Sequence, residues 1–120
     1  GTMKHCRRTL PAIFFSIKGA FFLIKNEHSI QAQLFISICF VIAGFYFGIS
    51  KTDWLFQVLA ISLVLSTESL NTAIEKVADF IHPDYNKKIG LIKDISAGAV
   101  FFSVIFAIVT AILIYSPKIY

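Results

Sequence analysis

The chain has 120 residues, 57% of them hydrophobic, with a net charge of +4 and a mean hydropathy of +0.76. Soluble domains are about 45–50% apolar, and a chain this short builds only one modest core in water. A water-soluble globule is excluded, and a single membrane domain over residues 1–120 is expected.

The basic leader ends at Thr9-Leu10-Pro11, which reads as a helix cap followed by a first-turn proline. From there to Asn26, Ile13, Phe14, Ile17, Phe21 and Ile24 are apolar, while Lys18 and Lys25 interrupt the run. The segment is too polar to span, so an amphipathic surface helix over 9–26 is expected. A signal peptide fits less well, because Lys18 breaks the apolar stretch and no small-residue cleavage site follows it.

Three apolar segments come next, at 30–49, 54–81 and 95–115. Each has the roughly 20 residues that a helix needs to cross about 30 Å of hydrocarbon. None alternates like a barrel strand, so the fold class is all-α and integral to the membrane. Thr52 or Asp53 is expected to cap the second span, with Trp54 at an interface. Pro83 stops the second span and Pro117 closes the third. Phe45, Tyr46 and Phe47 read as an interfacial aromatic belt. Cys6 and Cys39 are too few for a disulfide framework, and Cys39 reads as a small core residue.

The basic residues give the orientation. Lys4, Arg7, Arg8, Lys18 and Lys25 precede the first span, and Lys76, Lys87, Lys88 and Lys93 surround the second loop. The opposite side has Lys51 and Lys118. The positive-inside rule places the N-terminus and the second loop in the cytoplasm. Membrane orientation thus accounts for the charge, and no nucleic-acid partner is expected.

The polar residues inside the spans carry the chemistry. At 100° per residue, Asn71, Glu75 and Asp79 fall at about −60°, −20° and +20° from Glu68. Three carboxylates and an amide therefore share one stripe, and carboxylates at membrane depth must be paired, neutralised or metal-bound. The hairpin brings Lys93 and Asp94 level with Asp79 and Glu75, and Glu27 begins the first span on the same side. A ring of Glu27, Glu75, Asp79 and Asp94 is expected, with Glu68 deeper. Hard oxygen ligands suit magnesium carrying a polyphosphate, Lys93 suits phosphate oxygens, and a deeper carboxylate suits proton abstraction from a lipid hydroxyl. Two other readings fit the same residues: a helix-packing stripe, helped by Ser96, Ala97, Gly98 and Ala99, and a proton-coupled transporter or channel subunit titrating at Glu68. Walker-type and protein-kinase glycine loops are absent. His28 and His82 read as solvated interface residues.

Glu68-Ser-Leu-Asn71-Thr72-Ala73-Ile74-Glu75, then Asp79, then Lys93-Asp94-Ile-Ser-Ala97-Gly98-Ala99-Val100, closely resembles the signature of the prokaryotic diacylglycerol kinase family, which includes undecaprenol kinases. Arg8, Ser16-x-Lys18-Gly19 and Asn26-Glu27 extend the match upstream. The resemblance implies a homotrimer in the bacterial cytoplasmic membrane, with active sites between subunits near the cytoplasmic face. It implies transfer of phosphate from ATP, with Mg2+, to a membrane lipid alcohol, diacylglycerol or undecaprenol. By the same resemblance Glu68 is the general base and Glu27 and Glu75 are the magnesium ligands. Asn71 and Asp79 order the nucleotide or its shell, Lys93 and Asp94 contact phosphate and nucleotide, and Arg8 is a nucleotide-side cation. The Lys-Asp-x-x-Ala-Gly-Ala-Val form resembles the undecaprenol kinase branch more than the Gram-negative diacylglycerol branch. One departure is Ile30-Gln31, where many members carry Phe-Arg.

Overall fold

The computed structural model describes residues 11–119, and all of its regular structure is helical: α1 Pro11–Asn26, α2 His28–Phe47, α3 Lys51–Ile81 and α4 Lys87–Ile119. The Thr9-Leu10 cap lies outside the described residues. The last three helices are long and apolar enough to cross a membrane. The chain continues as helix well past the apolar runs, because the flanking polar residues are compatible with helix and the ends are set by caps.

Each break has a local cause. Gly48 adopts φ +60°, which a glycine reaches without steric cost, and ends α2. Its N–H bonds the Phe45 carbonyl at 3.3 Å, and the next N–H, from Ile49, bonds Gly44 at 3.1 Å. This Schellman closure folds the buried Ile49 back onto the helix. Ser50, rather than Thr52 or Asp53, caps α3: its hydroxyl accepts from the Asp53 N–H at 3.1 Å. Pro83 follows the end of α3, and Asn86 caps α4 by accepting from the Lys88 N–H at 2.9 Å. Pro117 does not close α4, which runs on to Ile119. So near a helix end, proline removes a bond from the final turn alone.

The break between α1 and α2 is a single residue. Glu27 is extended there (φ −108°, ψ 115°). The carbonyls at the end of α1 are met across the break, where the Gln31 side-chain amide donates to Ile24 at 3.0 Å and to Lys25 at 3.2 Å. Ile30, next to it, is the most buried apolar side chain among the described residues, at 3% exposure. On α1, Lys18 and Lys25 lie about 20° apart in projection, and they form a narrow strip flanked by the exposed Phe14 and Phe21 on one side and Phe15 and Phe22 on the other.

α3 and α4 form the most extensive helix pair. The buried residues of α3 include Gln57, Val64, Asn71 and Ala78, and those of α4 include Ser96, Ser103 and Thr110. Both sets repeat every seven residues, the period of an antiparallel coiled-coil seam. Small and hydroxylated side chains let the backbones approach, and Thr67 and Ser103 hydrogen-bond across the seam at 2.8 Å. Of the four small residues at the start of the α4 apolar run, Ser96 alone is buried. Cys39 is exposed, not in the core.

At the Gly48 end, Ile49, Ile114 and Tyr115 form a small core with Phe40, Ala43 and Trp54. Trp54 packs on Phe45 at 4.9 Å between ring centroids, in the α2–α3 contact. Much of the remaining apolar surface faces outward, including Phe35, Ile42, Phe56, Phe101, Phe102 and Leu113. That distribution suits a lipid solvent or further subunits.

Candidate functional site

The acidic stripe runs along the half of α3 that follows the Thr67–Ser103 contact, toward the α3–α4 loop. It lies beside the seam, not within it. Asn71 and Thr72 are buried against the bundle, Glu68 is half-buried, and Glu75 and Asp79 are exposed. The offset follows from geometry: a seven-residue seam through Asn71 leaves Glu68, Glu75 and Asp79 on its flank.

Three contacts organise this end. Lys93 of α4 pairs its ammonium with the Asp79 carboxylate, at the level the hairpin dictates. Asn71 donates its amide N–H to Glu75 Oε1 at 3.2 Å, one turn along α3. Lys76 Nζ lies 3.1 Å from Glu27 Oε1, which ties the α1–α2 break to α3. Glu68 makes no side-chain hydrogen bond or ion pair with the described residues. Its carbonyl accepts from the Thr72 hydroxyl at 3.0 Å.

The expected ring of Glu27, Glu75, Asp79 and Asp94 does not close within one chain. No three His, Cys, Asp or Glu side chains come together for a metal among the described residues. Glu27 and Asp79 each take a lysine instead. Asp94 is exposed and lines a separate open cavity of about 840 Å³ with Tyr85, Asn86, Lys87, Lys88 and Leu91. The physical reason is rotation along α4. Lys93 points to α3, and its neighbour is turned by about 100°. Arg8 lies outside the described residues. His28 is exposed, and His82 Nδ1 lies 2.6 Å from the Asp84 carbonyl oxygen, so neither joins an acidic group.

The donor set nevertheless fits a hard divalent cation chemically. Asn71 Oδ1 is buried without a hydrogen-bond partner, an arrangement that costs about 1–3 kcal/mol if left unmet. Its amide nitrogen is already used on Glu75, so the free atom is an oxygen of the kind magnesium takes. Glu75 beside it is exposed and ionisable.

Two residues of this region have a role that the sequence pattern does not announce. Lys76 contributes to the orientation charge, and it also directly follows Glu75, one helical turn from Thr72. Gln31, which in sequence marks a missing charge, closes α1 with its amide. Polar side chains beside a one-residue helix break were the available signal.

Residues 14–115 match the family described as prokaryotic diacylglycerol kinase. An undecaprenol kinase of Bacillus subtilis (strain 168) is 29% identical over 119 residues, which covers 96% of this chain and 97% of that protein. A diacylglycerol kinase of Escherichia coli (strain K12) is 28% identical over 110 residues, with 91% and 90% covered. One from Haemophilus influenzae is 27% identical over 89 residues, with 74% and 75% covered. The match spans the acidic stripe of α3, the Lys93-Asp94 pair, all of α2 and α3 and most of α4. The chain belongs to the prokaryotic diacylglycerol kinase family and is a lipid kinase.

Proposed function

We propose that the protein transfers the γ-phosphate of ATP to the hydroxyl of undecaprenol or diacylglycerol at the cytoplasmic face of a bacterial inner membrane. In this reading it is a homotrimer, with its N-terminus in the cytoplasm and α1 lying at the membrane surface. The observation that carries it is the contact between Lys93 and Asp79. It joins the two sequence elements of the family signature, on different helices, at one level of the bundle.

The lipid hydroxyl sits at the bilayer boundary, beside the half-buried Glu68. Its oxygen attacks the γ-phosphorus, the bond to the β–γ bridging oxygen breaks, and ADP leaves. The hydroxyl proton passes to the Glu68 carboxylate, which no side chain of the described residues occupies. Lys93 and Asp94 contact the phosphates and nucleotide, Asn71 and Asp79 order them, and Arg8 approaches from the surface helix. Glu27 and Glu75, with the free oxygen of Asn71, would hold Mg2+, which when bound offsets the negative charge that gathers on the transferring phosphate. The Lys93-Asp94 element with Ala97, Gly98, Ala99 and Val100 resembles the undecaprenol kinase branch, while relatives of both kinds match at similar identity, so both alcohols stand as acceptors.

The test is a γ-labelled ATP assay on the purified chain with undecaprenol and diacylglycerol offered in parallel. A labelled lipid is expected with one of them and only with a divalent cation present. Removing a positioned base typically costs about 10²–10⁴-fold, so Glu68→Gln is expected to fall by that order with its melting temperature retained. Glu75→Gln is expected to lose most activity through its raised Mg2+ requirement. Wild-type turnover in both variants, or ion flux across vesicles without a labelled lipid, would sink this assignment.

A further inference from the structure

Lys76 has no part in the chemistry just described, yet it is the residue that holds Glu27. Glu27 sits in the one-residue break between α1 and α2, with its side chain 23% exposed and its carboxylate 3.1 Å from the Lys76 ammonium. The same ammonium lies 5.8 Å from the centre of the Phe22 ring, in the last turns of α1. One side chain of α3 therefore holds the end of α1, the break and the carboxylate together. A carboxylate largely shielded from water is favoured in its charged form by a positive partner, and no other basic group is paired with Glu27 among the described residues.

We infer that Lys76 is a positioning residue that acts as the built-in counter-ion of Glu27, closing the α1–α2 break before any divalent cation arrives and then competing with that cation for the carboxylate. The inference rests on the reading of Glu27 as a metal ligand. An ammonium and a divalent cation on one carboxylate repel each other, so the Lys76 charge opposes metal loading. The family signature does not require this: the lysine adds pre-organisation of Glu27 at the expense of weaker metal binding.

The experiment uses the full chain in detergent micelles, with Mn2+ alone as probe, followed by electron paramagnetic resonance, and thermal melting in EDTA as the second readout. Lys76→Gln and Lys76→Met remove the charge, and the methionine keeps the aliphatic stem over Phe22. Both are expected to bind Mn2+ about two- to fivefold more tightly than wild type, the scale of a partly exposed charge interaction. Both are expected to melt lower in EDTA. Lys76→Arg keeps the charge and is expected to resemble wild type in both. In EDTA, the Glu27→Gln and Lys76→Gln losses are expected not to add, as for two partners in one contact. Unchanged or weaker Mn2+ binding in both neutral variants, or additive losses, overturns the inference. Glu27→Gln separates the two levels. If it weakens Mn2+ binding while the neutral Lys76 variants leave it unchanged, Lys76 fails alone; if it leaves Mn2+ binding at the wild-type value, the ligand role of Glu27 fails with it.

Discussion

Gln57 illustrates what a polar side chain needs at membrane depth. It is 4% exposed, and both ends of its amide are used. Its nitrogen donates to the Phe40 carbonyl at 3.2 Å, and its oxygen accepts from the Tyr115 hydroxyl at 2.5 Å. The result ties α2, α3 and α4 together where water cannot substitute. Such bonds between membrane helices contribute about 0.6–1.7 kcal/mol each. Tyr115→Phe is therefore expected to lose that amount, measured by reversible unfolding in mixed micelles. Its kinase rate should stay near wild type, because Gln57 and Glu68 are about 16 Å apart along α3. Unchanged stability would show that the network contributes nothing. The candidate site was legible at this scale as a set of residue types on one stripe, because helical periodicity converts spacing into direction. The partners were not. Nothing in the spacing says that Glu27 meets Lys76 or that Asp94 turns away from Asp79, since those depend on the rotation of α2 and α4 about their own axes.

At the level of elements, apolar run length fixes how many helices there are, and local caps fix where they end. Runs at 30–49, 54–81 and 95–115 found the three spans but missed the ends at Lys51, Lys87 and Ile119, where polar residues continue a helix as readily as apolar ones. Packing faces were harder to read, because in a membrane the outward face is as apolar as the inward one. The small residues show the difficulty. A Cβ on Gly44 would lie 2.7 Å from the Trp54 ring, whereas one on Gly98 meets nothing within 4 Å. Overpacking costs about 1–3 kcal/mol, and alanine recovers about 0.8–1.0 kcal/mol of helix propensity over glycine. Gly44→Ala is expected to lower stability, with Trp54 fluorescence reporting its displacement. Gly98→Ala should be neutral or stabilising within a chain. A marked loss in Gly98→Ala would instead place another subunit against that face.

For the whole molecule, the assembly decides which Asp94 completes the acidic site. One chain presents Glu68, Asn71 and Glu75 on α3, while its own Asp94 opens into the cavity beside Lys87 and Lys88. Its apolar surface is largely uncovered, with Phe80 and Tyr85 among the most exposed side chains near that cavity. In the proposed trimer a neighbour's Asp94 would face this chain's Glu68, and each catalytic centre would be shared. Mixing tests it. Every chain in a mixture of Glu68→Gln and Asp94→Asn subunits carries one lesion, so a site built within one chain recovers no activity. In a cyclic assembly of randomly mixed subunits, a site needs an intact Glu68 on one side and an intact Asp94 on the other, and about a quarter of sites meet both conditions. Co-purified mixtures are therefore expected to regain about a quarter of wild-type turnover, where each variant alone is nearly inactive. Recovery should disappear when the subunits are purified separately and combined without exchange. Activity that stays at the level of the single variants after full exchange would place Glu68 and Asp94 in the same chain's site, and the cavity beside Lys87 would then need to close on its own α3.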